Sequence, residues 1–145
     1  MKDITLYDNI LFPIDFSDNS NQDFPIGLNL ALENNAELII LYAFRLIKEG
    51  GGNKNDVIEL KYRVESEAKQ KFAKLSDSLL SANKVKTSFL CEIGFLSDRI
   101  VATVGSNKTD LLLISKSVEE ILKKEMINPR EMLKNSLSCK VIFLD

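Results

Sequence analysis

At 145 residues and 45% apolar composition the chain has material for one hydrophobic core and not for two, so a single domain over residues 1–145 is expected. A balance of 19 basic against 21 acidic residues, net charge -2, provides no field to draw in nucleic acid or an anionic membrane surface. The complete absence of histidine excludes Ser-His and Cys-His nucleophile pairs, histidine zinc sites and nucleotidyl transfer built on an HxGH motif.

In chain order, the first element is the apolar run Ile10–Ile14, which reads as a strand covered on both faces. Pro13 within it lacks an amide, so a bulge or an early stop in pairing is expected there. The next segment, Ser17 to Asn34, carries Leu28, Ala31 and Leu32 for packing. Pro25 and Gly27 weaken a helix interior, which predicts a late start with Asp23 near the cap and Pro25 in the first turn. Leu38–Phe44 is a second covered strand. It is also the longest apolar stretch, far below the ~20 residues of a membrane span, and no basic segment leads an apolar core at the N-terminus. A cytoplasmic protein without membrane contact is expected.

Lys48–Asn55, with Gly50, Gly51 and Gly52 and no apolar residue, reads as a mobile loop. Val57, Leu60, Val64, Ala68, Phe72, Leu75 and Leu79 then recur every three or four residues, predicting a long helix over Val57–Ser81 capped by Asn55 or Asp56. Val85, Thr87, Phe89, Cys91 and Ile93 alternate with Lys86, Ser88 and Glu92, apart from Leu90, the pattern of a strand at a sheet edge. Ser97 and Asp98 are placed to cap a helix carrying Ile100, Val101 and Val104, ended by Gly105 and Asn107. Leu111–Ile114 is a fourth covered strand. Glu119, Glu120, Lys123, Lys124 and Glu125 read as the solvated face of a short helix, and Val141–Leu144 as a final apolar strand, either covered or paired with another chain. Cys91 and Cys139 have no CxxC spacing and read as buried, reduced thiols. Strands alternating with helices predict an α/β fold, a doubly wound parallel sheet with right-handed crossovers.

In such a sheet, ligands sit beyond the carboxyl ends of the strands, at the switch point of strand order. Two junctions meet that description: Asp15-Phe16-Ser17 after the first strand and Ser115-Lys116-Ser117 after the fourth. A carboxylate at Asp15 can accept from the amine of a base or from a ribose hydroxyl, or can simply cap the following helix with Ser17 and Asp18; capping is the commoner role. Lys116 offers a charge for an anion, opposed by Glu119 and Glu120.

Asn9–Ser17, Asn35–Ala43, Gly94 followed by Ser97-Asp98-Arg99-Ile100, and Thr109–Ile114 together resemble the successive landmarks of the universal stress protein family, in order and over nearly the whole chain. The resemblance implies five parallel strands in the order 3-2-1-4-5, a Rossmann-like arrangement, with proline tolerated in the first strand. It also implies pairing of two copies through the last strand, here Val141, Ile142, Phe143 and Leu144. Some members bind ATP through an aspartate matching Asp15 and a Gly-x2-Gly-x9-Gly-Ser/Thr segment. Here the first two glycine positions fall on Ser115 and Val118, and the last pair near Ile127-Asn128 or Asn128-Pro129. The amides and positive φ that glycine supplies to a phosphate cradle are therefore lost. The expectation is a non-catalytic stress-response domain that forms a homodimer, meets an unidentified protein partner and needs no cofactor. The alternative is a nucleotide-binding member, taking ATP with magnesium or AMP through Asp15, Gly94, Ser115, Lys116 and Ser117. A third possibility is redox response through Cys91 or Cys139. An end at Asp145 directly after an apolar strand fits a free-standing chain and half of a tandem pair alike.

Overall fold

Five parallel strands form one sheet in the order β3-β2-β1-β4-β5 in the computed structural model, which describes residues 6–46, 54–79 and 82–145. The strands are β1 (Asn9–Pro13), β2 (Glu37–Phe44), β3 (Thr87–Ile93), β4 (Leu111–Ile114) and β5 (Lys140–Phe143). The helices are α1 (Asp18–Asn34), α2 (Lys54–Asp77), α3 (Leu96–Ser106), α4 (Lys116–Glu125) and α5 (Pro129–Ser136), with a 3-10 turn at Ala82–Lys84. Alternate side chains divide the core. Ile10, Phe12, Ile14, Leu38, Ile40, Leu111 and Leu113 face α1 and α2, while Leu11, Ile39, Leu41, Leu112 and Ile114 face α3, α4 and α5. The expected edge position of the third strand is observed; its residues are partly buried, except Ile93, which is exposed.

Pro13 stays in β1, in register with Leu41, and the pairing of β1 with β4 ends at Leu11↔Leu112. Ile14 donates its N–H to Leu41 O on the β2 side (2.9 Å), so Pro13 turns its missing donor toward β4, beyond the last pair there. The expected stop thus occurs on one side only, and no bulge forms among the described residues.

The helix after β1 differs from the sequence expectation. It begins at Asp18, with Ser17 as N-cap accepting from Ser20 N, and Pro25 lies inside it. A proline in a helix interior costs about 3 kcal/mol. Phe24 and Leu28 on the same helix are fully buried, each worth about 1.5–3 kcal/mol, and the cap contributes about 1 more. Tertiary packing therefore outweighs the local penalty. Gly27 lets this helix lie close on the sheet, since a Cβ there would stand 3.4 Å from Phe12 Cδ2 and 3.5 Å from Leu38 Cδ1. Leu32 points outward and is exposed.

The long helix starts earlier than expected, at Lys54, so Lys54 and Asn55 belong to its first turn; the remainder of the expected mobile loop, Lys48–Asn53, lies outside the described residues. Phe72 of α2 stacks on Phe89 of β3 with ring centroids 4.9 Å apart. Helix α3 begins at Leu96 with Phe95 at its N-cap, and neither Ser97 nor Asp98 caps it; Gly105 lies inside it and Asn107 ends it. Two helices, not one, connect β4 to β5. Cys91 and Cys139 are free and half-buried, less enclosed than expected.

Candidate functional site

Phe16, directly after Asp15, adopts a left-handed conformation (φ 60°), which a bulky side chain holds at a cost of about 1–3 kcal/mol. Its ring is fixed against Tyr42 (5.2 Å) and Phe89 (6.2 Å). This turn folds the chain back so that Asp15 meets the start of α1. Ser17 donates its N–H (3.0 Å) and its hydroxyl (2.6 Å) to Asp15 Oδ1, and the Ser20 hydroxyl donates at 2.6 Å. From across the switch point the Ser117 hydroxyl reaches the same oxygen at 3.3 Å. Burial alone raises the Asp15 pKa, but the donors from Ser17, Ser20 and Ser117 outweigh it and hold the carboxyl below its ordinary value of 3.8.

The second junction contains no loop. Helix α4 starts at Lys116 immediately after β4, with Ser115 fully buried as N-cap and Val118 buried inside the first turn. Ser117 N donates to Asn19 Oδ1 at 2.8 Å, and the Ser17 and Ser117 hydroxyls stand 3.0 Å apart. Ser115 Oγ lies 3.5 Å from Ser117 Oγ, and Lys116 is exposed. The two junctions are thus tied to each other by side chains of the chain itself. An amide that an anion would seek at the start of α4 already has its acceptor.

Beside Asp15 a cleft of about 350 Å³ is lined by Tyr42, Phe44, Arg45, Gly94, Ile121 and Glu125, among others. Gly94 (φ 139°) makes the turn from β3 to α3 and donates its N–H to Phe44 O at 2.8 Å; the backbone angle, and not space, demands glycine there. The structure therefore brings Asp15 and Gly94 to one cleft and joins Asp15 to Ser117. It leaves Ser115, Lys116 and Ser117 out of the residues lining that cleft.

Several residues here have no distinctive sequence signal. Glu125, expected on a solvated face, accepts from Leu96 N (3.1 Å) and Ser97 N (2.7 Å), capping α3 from another helix. Glu119, expected on the same face, is buried and paired with Arg130 at 2.7 and 2.9 Å. Asn128, where the sequence lacks glycine, nonetheless takes a left-handed conformation (φ 52°) as N-cap of α5, so positive φ is retained at this point without glycine. Arg45 is exposed and lies 4.1 Å over the Phe95 ring. No group of acidic, histidine or cysteine residues able to hold a metal occurs among the described residues, nor a helix long and apolar enough to cross a membrane.

A model of the universal stress protein family matches residues 6–127. Among curated protein sequences none matches. Similar solved structures include universal stress protein UspA from Lactobacillus plantarum, 18% identical with a TM-score of 0.66, covering 96% of this chain and 98% of that one. A universal stress protein family member from Burkholderia pseudomallei is 15% identical with a TM-score of 0.68, covering 97% and 98%. A third, from Arabidopsis thaliana with AMP bound, is 10% identical with a TM-score of 0.57, covering 94% and 90%. The structural likenesses establish the fold, and the family model, spanning most of the sequence, establishes the relationship: the chain belongs to the universal stress protein family.

Proposed function

We propose that this chain is a non-catalytic stress-response domain of the cytoplasm, acting through homodimerisation and contact with a protein partner, and independent of ATP. The observation that carries the reading is the tie across the switch point. Ser117 N is held by Asn19 Oδ1, and Asp15 Oδ1 collects donors from Ser17, Ser20 and Ser117. A polyphosphate would have to displace these bonds, and Val118 in the α4 helix supplies no glycine-like cradle. The remaining contribution of Asp15 to a base, one or two hydrogen bonds of about 0.5–1.5 kcal/mol each, falls far below the roughly 8 kcal/mol of micromolar affinity. For the dimer, the support is β5 at the open end of the sheet, with Ile142, Phe143 and Leu144 half-buried.

A second reading is favoured by the cleft that Asp15 and Gly94 share, and by two similar structures that hold a nucleotide, the Arabidopsis protein with AMP bound and a universal stress protein in complex with cAMP. In that reading this chain binds a nucleotide through Asp15, with Lys116 and Ser117 as outer contacts. Titration calorimetry with ATP and magnesium separates the two. The first reading expects no saturable heat in the micromolar range; a dissociation constant below about 10 µM overturns it and favours the second.

A further inference from the structure

Glu125 stands out because its position works against its own helix. It closes α4, where the helix dipole disfavours a carboxylate. Its two oxygens reach Leu96 N (3.1 Å) and Ser97 N (2.7 Å) instead, and the residue lines the same cleft as Asp15. Among the described residues lining that cleft, Asp15 and Glu125 are acidic and Arg45 alone is basic. The Arg45 guanidinium is drawn onto the Phe95 ring at 4.1 Å. Tyr42, Phe44, Leu96 and Ile121 make the rest of the wall largely apolar, so the two carboxylates dominate its polar character.

We infer that Glu125 sets the charge selectivity of this cleft, rejecting phosphate-bearing ligands. The inference rests on the reading of the chain as independent of ATP and assigns part of that independence to one residue. A phosphate entering beside Asp15 meets a second fixed negative charge that cannot withdraw without surrendering two amide bonds. An uncharged ligand meets no such penalty. Glu125 acts here as a specificity residue, while its bonds to α3 also keep the wall of the cleft in place.

The test is calorimetric titration of AMP and, separately, adenosine into wild type, Glu125→Gln, Glu125→Ala, Glu125→Asp and Glu120→Gln, each first checked by its melting curve. Glutamine keeps an acceptor for one α3 amide and removes the charge. Glu125→Gln is expected to raise AMP affinity about tenfold or more over wild type and to leave adenosine within about twofold, and Glu125→Ala, which also gives up both bonds to α3, to share the gain for AMP. Glu125→Asp, which keeps the charge, and Glu120→Gln, which removes a charge on the exposed face of α4, are expected to stay at the wild-type level. Folded Glu125→Gln and Glu125→Ala without a gain overturn the role of Glu125 while the ATP-independent reading stands. An equal gain in Glu120→Gln or Glu125→Asp also overturns it, since the effect would then come from overall charge or from loosened packing. Micromolar AMP binding by wild type overturns both the inference and the reading beneath it.

Discussion

The side-chain oxygen of Asn19 lies 2.8 Å from the backbone nitrogen of Ser117, joining the first turn of α1 to the first turn of α4 across the switch point of the sheet. The two residues are 98 positions apart in the chain. This contact decides how the ends of β1 and β4 can be used, because it occupies an amide that points out of a helix start.

Replacing Asn19 with alanine removes that acceptor and leaves the Ser117 N–H to water. The loss expected is about 0.5–1.5 kcal/mol of stability by urea denaturation, together with faster amide exchange at Ser117. Unchanged exchange at Ser117 would show that the contact does not persist in solution.

Asp15 should act chiefly on stability. Its carboxyl titrates below the ordinary 3.8 because its hydrogen bonds outweigh burial, so its stabilising contribution is full above the unfolded-state value and is lost as pH falls through the folded one. Stability of wild type measured below pH 4 is therefore expected to drop more steeply than that of Asp15→Asn. At neutral pH, Asp15→Ala leaves Ser17, Ser20 and Ser117 without their shared acceptor and is expected to cost about 1–3 kcal/mol. Parallel acid-unfolding curves for wild type and Asp15→Asn would contradict the assignment.

The strands and their order were legible because local composition and tertiary environment agree. Ile10–Ile14 and Leu111–Ile114 are apolar throughout because helices cover both faces, and β3 alternates because it lies at an edge. Pro25 misled because the penalty is local and the compensation, burial of Phe24 against Phe12 at 5.9 Å and Phe72 at 6.0 Å, is not. Glu119 and Glu125 misled for a related reason. A carboxylate that caps another helix and one that faces water have the same letter, and the partners Arg130, Leu96 and Ser97 lie 11 to 29 residues away. Asp15 and Gly94 could be singled out from the sequence; Asn19, Tyr42, Arg45 and Glu125 carry no motif, and only the fold brings them to the site.

Cys91 provides a test of the redox possibility. Burial pushes its thiol up to about 11, reinforced by Glu65 and Glu92 and opposed by Lys69. The thiolate fraction at pH 8 is thus about a hundredfold below that of a thiol at the ordinary 9.0. Labelling of Cys91 by a maleimide at pH 8 is expected to be slow in the folded protein and fast in urea. Labelling as fast as a free thiol under native conditions would restore redox response as a candidate role.

The dimer prediction concerns β5, and the structure determines which variant tests it cleanly. Lys140 N and Leu144 N donate inward, to Asp110 O at 3.2 Å and Ile114 O at 2.7 Å, so the amides of Val141 and Phe143 turn toward the open edge. Those outward groups are the ones a second copy would pair with in an isologous contact. Phe143→Asp introduces a charge there, but it also removes a ring that Arg130 covers at 5.0 Å and Lys134 at 5.9 Å, while Arg130 in turn holds Glu119 and Asp145. Val141→Pro removes one outward donor without touching a β4–β5 hydrogen bond; because it also replaces a side chain buried in the core beneath α3, α4 and α5, its melting curve is recorded alongside. Sedimentation velocity at micromolar concentration is expected to show a dimer for wild type and monomers for both variants. A wild type that is already monomeric, or dimers that survive both substitutions, would exclude β5 as the pairing surface.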